Sequence, residues 1–285
     1  MAVELTCKLC GNSDVEFLFS EQRNGIAYKS YHCRACNLYQ TLGDIESVSP
    51  DYVDLEENDL DAAHVYLQRV AKQSGFRQWL ETVRKLTSHN TGRPPKVLDI
   101  GCGVGGFLDF AKANGFETYG FDASKAQVAQ AKANHPNVGY AISIDDYMAQ
   151  FDTAPQFDFV TMWDVFEHIR DPKTLLTEVR KHLPSHAIYF VSVPSGAPTK
   201  AKLALAKLRG RDPGLIPWEH VFYYTPDSLA RVFEDNGYAP LKVTGVVPYV
   251  HEMSGHELIR RAVQAVLRPT PYAFQICAFA KPDVS

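Results

Sequence analysis

The chain has 285 residues, 45% hydrophobic and 22% charged, which suits one large α/β unit with a small appendage and excludes a disordered chain. A net charge of −4 weighs against a protein that clamps long nucleic acid. Lys200, Lys202, Lys207, Arg209 and Arg211 form a local basic run that reads as a solvated helix face. No apolar run reaches the roughly 20 residues of a membrane helix. The start, MAVELTCKLCG, lacks the basic and apolar regions of a secretory signal, so a cytoplasmic protein is expected.

Four of the six cysteines form two pairs, Cys7-Lys-Leu-Cys10 and Cys33-Arg-Ala-Cys36, with 22 residues between them. A two-residue spacer turns both thiolates of a pair toward one ion, and two such pairs supply the closed tetrahedral set of a structural zinc site. Glu16–Phe19 and Ile26–Tyr31 read as short strands around a turn at Asn24-Gly25, which makes residues 1–45 a zinc ribbon. His32 is a spare ligand, and a redox dithiol, the rival reading, needs only one pair. A site with four protein ligands has no open position, so the ion is expected to stabilise the fold and to do no chemistry.

Residues 43–60 are acidic and loop-like, and Asp61–Leu86 carries helical spacing that Gly75 is expected to split in two. Residues 46–95 therefore read as a linker with helices, closed by the breakers of Thr87–Pro95. Lys96–Ile100 is a short apolar strand running into Gly101-Cys-Gly-Val-Gly-Gly106 and a helix near Phe107. Such glycines let a backbone turn tightly against a ligand. Asp122, at the tip of a second strand from Glu117, can accept two hydrogen bonds from a ribose. The loop also fits the dinucleotide pattern, but the carboxylate of Asp99 beside it would repel a pyrophosphate and suits a cationic ammonium group.

LDIGCGVGGFL and Tyr119-Gly-Phe-Asp122 resemble the first two motifs of class I S-adenosylmethionine-dependent methyltransferases, and the likeness covers most of residues 96–280, within the unit 96–285. It implies a Rossmann-like seven-stranded sheet with helices on both faces, and S-adenosylmethionine as cofactor. By that resemblance Asp99 helps hold the methionine amino group, Gly101 and Gly103 make room for the cofactor, and Asp122, with Ala123 beside it, binds the ribose. Tyr140–Ser143 is the expected third strand. Ser143 or Asp145 takes the adenine amino group there, and Ile144 packs on the ring, although the usual acid at Ser143 is missing.

Phe157–Trp163 is a fourth strand, and Asp164-Val-Phe-Glu-His168 after it is similar to the family's segment at the reacting face. Ligands of open α/β sheets bind beyond the carboxyl ends of the strands, which puts Trp163 against the cofactor. Glu167 and His168 either brace this loop or act, His168 as the base that takes the acceptor's proton. A related acid-x-x-Glu-His run in ubiquinone-pathway O-methyltransferases binds a divalent cation, which implies Asp164, Glu167 and His168 as a ligand set. Ala187–Val193 is a fifth strand, and residues 195–225 are an excursion expected to recognise the acceptor. His220 is a second candidate base within it, and Trp218, Tyr223 and Tyr224 line the pocket or belong to the core. Leu241–Val247 and Phe274–Phe279 are the family's reversed hairpin, separated by an insertion with a helix, His256–Leu267, that reads as a lid or a dimer contact.

A zinc ribbon on this type of domain also resembles sugar methyltransferases of polysaccharide and antibiotic pathways. The expected acceptor is therefore a small molecule, such as a sugar, sugar nucleotide, glycan or natural-product precursor, methylated on oxygen or carbon. The alternatives are an RNA methyltransferase with a zinc module and a binding protein that kept the cofactor site without catalysis.

Overall fold

The structure, a computed structural model, describes residues 5–42, 72–87, 92–210, 215–246, 266–267, 270 and 273–283. Asn24 and Gly25 both adopt positive φ, 53° and 79°, the turn geometry whose twist matches that of flanking strands. They join β1 (Val15–Arg23) to antiparallel β2 (Ile26–Cys33), the hairpin expected between the cysteine pairs. β3 (Tyr39–Leu42) then adds to β2.

Helix α1 (Gln73–Leu86) buries Phe76, Trp79, Leu80 and Val83. Gly75 does not split it, because it falls in the first turn, where few helical bonds depend on it. Trp79 meets Phe107 edge-on at 5.0 Å and Phe159 at 5.7 Å. This helix, read in the sequence as part of a linker, packs into the large domain's core. The acidic stretch 43–60, the periodic residues 61–71 and the insertion at 256–265 lie outside the described residues.

Lys96–Ile100 (β4), Glu117–Asp122 (β5), Val138–Tyr140 (β6), Phe159–Trp163 (β7) and Ile188–Pro194 (β8) are parallel neighbours. Continuous apolar runs suit such strands, since both faces are covered. Side chains alternate between the faces. Val97, Phe159 and Phe190 enter one core cluster, while Leu98, Val160 and Tyr189 enter the other. Helices α2 (Gly106–Ala113) and α3 (Lys125–Lys132) join α1 on the first face, and α4 (Ile144–Met148) and α5 (Pro172–Lys181) cover the second. After β8 come α6 (Thr199–Arg209), β9 (Phe222–Tyr223) and α7 (Pro226–Glu234). The chain then forms β10 (Tyr238–Gly245) and β11 (Gln275–Pro282), with β11 antiparallel between β10 and β8. The order β10-β11-β8-β7-β4-β5-β6 is the seven-stranded sheet with a reversed last hairpin that the resemblance implied.

Two placements differ from expectation. The third strand ends at Tyr140, and Ser143 instead caps α4 by accepting from the Asp146 N–H at 3.1 Å; a serine before an acidic first turn is a cap signal that outweighs strand propensity. The second is β9. It belongs to the 195–225 excursion, yet it pairs with β3 to complete a sheet ordered β1-β2-β3-β9. The approach is close: a Cβ on Gly196 would lie 2.4 Å from the Tyr223 carbonyl oxygen, so only glycine fits there. No helix among the described residues is long and apolar enough to cross a membrane.

At the start of the large domain, Asp158 is 1% exposed and takes both guanidinium nitrogens of Arg93, at 2.8 and 3.0 Å, as well as the Lys96 N–H at 2.7 Å. Burial pushes its pKa up, but Arg93 and Lys96 overcome this and hold it below the usual value. Arg93→Ala is expected to cost about 1–2 kcal/mol in urea unfolding, since Asp158 loses its half-exposed guanidinium partner but keeps the Lys96 N–H. A depressed carboxylate stabilises the fold above its unfolded pKa and ceases to do so as pH falls through its folded one. The gap between variant and wild type should therefore close in acid.

Candidate active site

β4 delivers the chain into a loop in which Gly101, Gly103 and Gly105 take φ of 69°, 54° and 83°, a region that penalises any Cβ. At Gly101 a Cβ would also lie 2.5 Å from Val165 Cγ2. The loop is fixed from β5, where Asp122 accepts the Gly103 N–H on one carboxylate oxygen and the Ser124 N–H on the other, both at 2.8 Å. Beside it opens a cavity of about 330 Å³. Asp99, Gly101, Gly103, Asp122, Ala123, Ser143 and Trp163 all line it, so seven of the eight residues expected to hold the cofactor share one wall. Ile144 does not line it. That residue is fully buried in the core, and Ile142, 72% exposed, reaches the cavity in its place. Lys72, Gln127 and Glu219 line it too, without a motif that could have announced them.

Asp99 is 2% exposed and accepts the Thr161 hydroxyl at 2.6 Å. Burial raises its pKa to about 7, against the opposing pull of Thr161 and Lys72. A desolvated carboxyl of this kind, opening on a cavity, is matched to a cationic ligand group. The donors and acceptors on this wall fit S-adenosylmethionine: an acid for an ammonium, a second acid at a strand tip for a diol, and glycine backbone where bulk would block it.

The Asp164–His168 loop lines the same cavity through Asp164, Val165 and His168. Asp164 has φ of 56°. It pairs with Lys72 Nζ at 2.7 Å and accepts the Gln275 amide. His168 lines the cavity, while Glu167 is fully buried next to it, and among the described residues neither of its carboxylate oxygens has a hydrogen-bond partner. Burial, with Asp164 nearby, raises the pKa of Glu167 well above the usual carboxylate range. The ring of His168 contacts the Glu219 carbonyl through Nδ1 at 2.8 Å. A carbonyl only accepts, so Nδ1 carries the proton and Nε2 is the basic nitrogen, 4.0 Å from the Glu167 Oε1. Burial lowers the pKa of His168, which keeps that nitrogen unprotonated at neutral pH.

His220 sits 4.9 Å from His168, ring to ring, but does not line the cavity. Burial and the neighbouring His168 push its pKa down to about 3. Ligand atoms of Glu167, His168 and His220 lie within 4.8 Å of one another. Asp164, expected as the third member of that group, is turned to Lys72 and Gln275. Trp218, Tyr223 and Tyr224 also lie away from the cavity wall: Trp218 packs on Tyr28, Tyr223 accepts the Ile216 N–H at 2.8 Å, and Tyr224 stacks on Phe166.

At the other end of the chain the four paired cysteines converge, with Sγ distances of 3.6 Å for Cys7–Cys36 and 3.7 Å for Cys10–Cys33. All four sulfurs lie within 4.8 Å of one another, and none forms a disulfide. Four bonds of about 2.3 Å to a tetrahedral ion put sulfurs about 3.8 Å apart, so the donor set fits zinc. His32 contacts Asn37 at 2.9 Å and stays outside the group.

A family model described as a methyltransferase domain matches residues 70–243. A ubiquinone biosynthesis O-methyltransferase of Dinoroseobacter shibae is 28% identical over 196 residues, which is 65% of this chain and 78% of that protein. One from a Ruegeria species is 30% identical over 159 residues, which is 53% of this chain and 63% of that protein. Among solved structures, the complex of a Haloferax volcanii methyltransferase activator with its methyltransferase aligns with a TM-score of 0.54 and 17% identity, covering 83% of this chain and 100% of that one. At such identity the likeness is one of fold. The family match spans more than half of the residues, including α1, the glycine loop and the Asp164–His168 loop. The chain belongs to this methyltransferase family and is a class I S-adenosylmethionine-dependent methyltransferase.

Proposed function

We propose that the chain methylates a hydroxyl oxygen of a small-molecule acceptor, with His168 as the base. The observation that carries this reading is the single cavity onto which Asp99, Asp122 and His168 all open. The cofactor supplies an activated methyl group on a sulfonium. Asp99 holds its ammonium, Asp122 its ribose, Ala123, Ser143 and Trp163 pack around it, and Gly101 keeps the backbone close. The protein's remaining tasks are to align the acceptor, keep water out and take a proton. Nε2 of His168, held basic by the Glu219 carbonyl, is suited to the last of these. Glu167 is a buried group 4.0 Å from that nitrogen, and His220 is a supporting neighbour.

Names of the relatives, ubiquinone biosynthesis O-methyltransferases, favour oxygen as the accepting atom, and we take the acceptor to be a phenol-type ring hydroxyl. The sugar or glycan expected from the zinc ribbon finds no support among them. The four cysteines hold a structural zinc in this reading, and their closed set leaves no position for substrate. A transfer assay with methyl-labelled cofactor separates the acceptor classes. Labelling of catechol-type phenols above sugar nucleotides and RNA is the expected outcome; labelling of sugar nucleotides or RNA alone would remove the phenol assignment.

A further inference from the structure

The ribbon and the reacting face are not independent. We infer that the N-terminal ribbon is a positioning element of the active site, which holds the Glu219 carbonyl in place and thereby sets the ring orientation and tautomer of His168. The inference rests on the reading of His168 as the base.

Three observations carry it. First, β9 pairs with no strand of the seven-stranded sheet among the described residues; its strand partner is β3 of the ribbon. Tyr39 faces Tyr223 and Gln40 faces Phe222, and the Thr41 N–H donates to the Val221 carbonyl at 2.8 Å. The Thr41 hydroxyl donates to the His220 carbonyl at 3.4 Å. Second, the other end of the same segment is gripped by the hairpin. The Arg23 guanidinium lies 4.8 Å over the Trp218 ring, Tyr28 meets that ring edge-on at 6.4 Å, and Arg23 is 3.7 Å from the Glu219 carboxylate. Third, between these two grips lies the Glu219 carbonyl that takes the Nδ1 proton of His168 at 2.8 Å.

The path back to the cysteines is short. Two residues separate Cys36 from β3, and the Cys33 N–H donates to the Leu38 carbonyl at 2.8 Å, so the geometry of the second knuckle sets where β3 starts. The Asn37 carbonyl, in the same turn, accepts the Thr225 hydroxyl at 3.0 Å. A cysteine cluster distant in sequence is thus joined through one backbone ladder to the His168 ring. Fixing a catalytic tautomer through the hydrogen bond on the other ring nitrogen is a general device; here the acceptor of that bond is held by the ribbon.

The test uses the full chain with S-adenosylhomocysteine bound. Thr41→Pro removes the N–H that reaches β9, leaves all four cysteines in place, and spares β2, because that N–H points away from it. Arg23→Ala loosens the other grip and serves alone if Thr41→Pro does not fold. Nitrogen NMR of the His168 ring reads the tautomer, hydrogen exchange reads residues 216–224, and calorimetry reads cofactor binding. The expected result is a shift of His168 from the Nδ1–H form toward a mixture of tautomers. Exchange over 216–224 should rise by about tenfold, with the Kd for S-adenosylhomocysteine changed by less than about twofold. An unchanged His168 spectrum with unchanged exchange overturns the inference. A shifted tautomer with undiminished methyl transfer keeps the coupling and removes His168 as the base, so the two readings fail separately.

Discussion

Asp99→Asn is expected to weaken S-adenosylmethionine binding by about 100-fold, the effect of losing one buried charge-assisted hydrogen bond of about 3 kcal/mol. The side chain keeps its shape and its contact with Thr161, so the loss isolates the charge. Asp99 titrates at about 7 in the cofactor-free protein because burial disfavours its ionised form. An ammonium placed against it reverses that preference. Binding at pH 6 should therefore release close to one proton, and binding at pH 8 very little, as measured by calorimetry in buffers of different ionisation enthalpy. The same shift has a stability consequence whose sign is fixed. A carboxyl with a folded pKa raised above its unfolded value contributes stability at low pH and loses it as pH rises through the folded value. The cofactor-free protein should thus lose stability between about pH 4 and pH 7 from this group, and the cofactor should restore it. The Asn variant should show neither proton release nor restoration.

His168→Gln is expected to lower kcat by about 10³-fold, within the usual contribution of a positioned base, with cofactor affinity unchanged. Glutamine can still donate to the Glu219 carbonyl, so the loop stays in place and only the basic nitrogen is lost. His220→Gln should have a much smaller effect, because His220 stands behind His168 and does not line the cavity. In the wild type, burial lowers the pKa of His168. With the cofactor saturating, the acidic limb of the kcat profile should therefore fall below the ordinary imidazole range, leaving kcat flat through neutrality. Retention of kcat within about threefold in His168→Gln would assign proton removal to another group or to solvent.

Several strands of the large domain were legible as short apolar runs between turn signals, while the sheet they form was implied by the likeness of the glycine loop and Asp122 segment to the family's motifs. Asp99, the glycine loop and Asp122 were legible for a related reason. Each sits at a strand end, and local sequence alone dictates that position. What could not be read depends on contacts between distant segments. Nothing in Phe222-Tyr223 states that it pairs with Tyr39-Gln40 far upstream, since two residues carry no periodicity. Lys72 precedes its helix without a motif, yet it pairs with Asp164 and takes that carboxylate away from the expected metal set. Near Ser143 an early helix cap moved the reading by two residues, so Ile142 faces the cavity and Ile144 the core. A one-residue slip reverses a face in a strand; here the strand had already ended.

A crystal structure of the protein with S-adenosylhomocysteine tests the central assignment most directly. The amino group should lie within hydrogen-bonding reach of Asp99, directly or through one water, with the ribose hydroxyls on Asp122 and the sulfur facing His168 Nε2. A ligand bound elsewhere, or in this cavity with its amino group away from Asp99 and its ribose off Asp122, would contradict it.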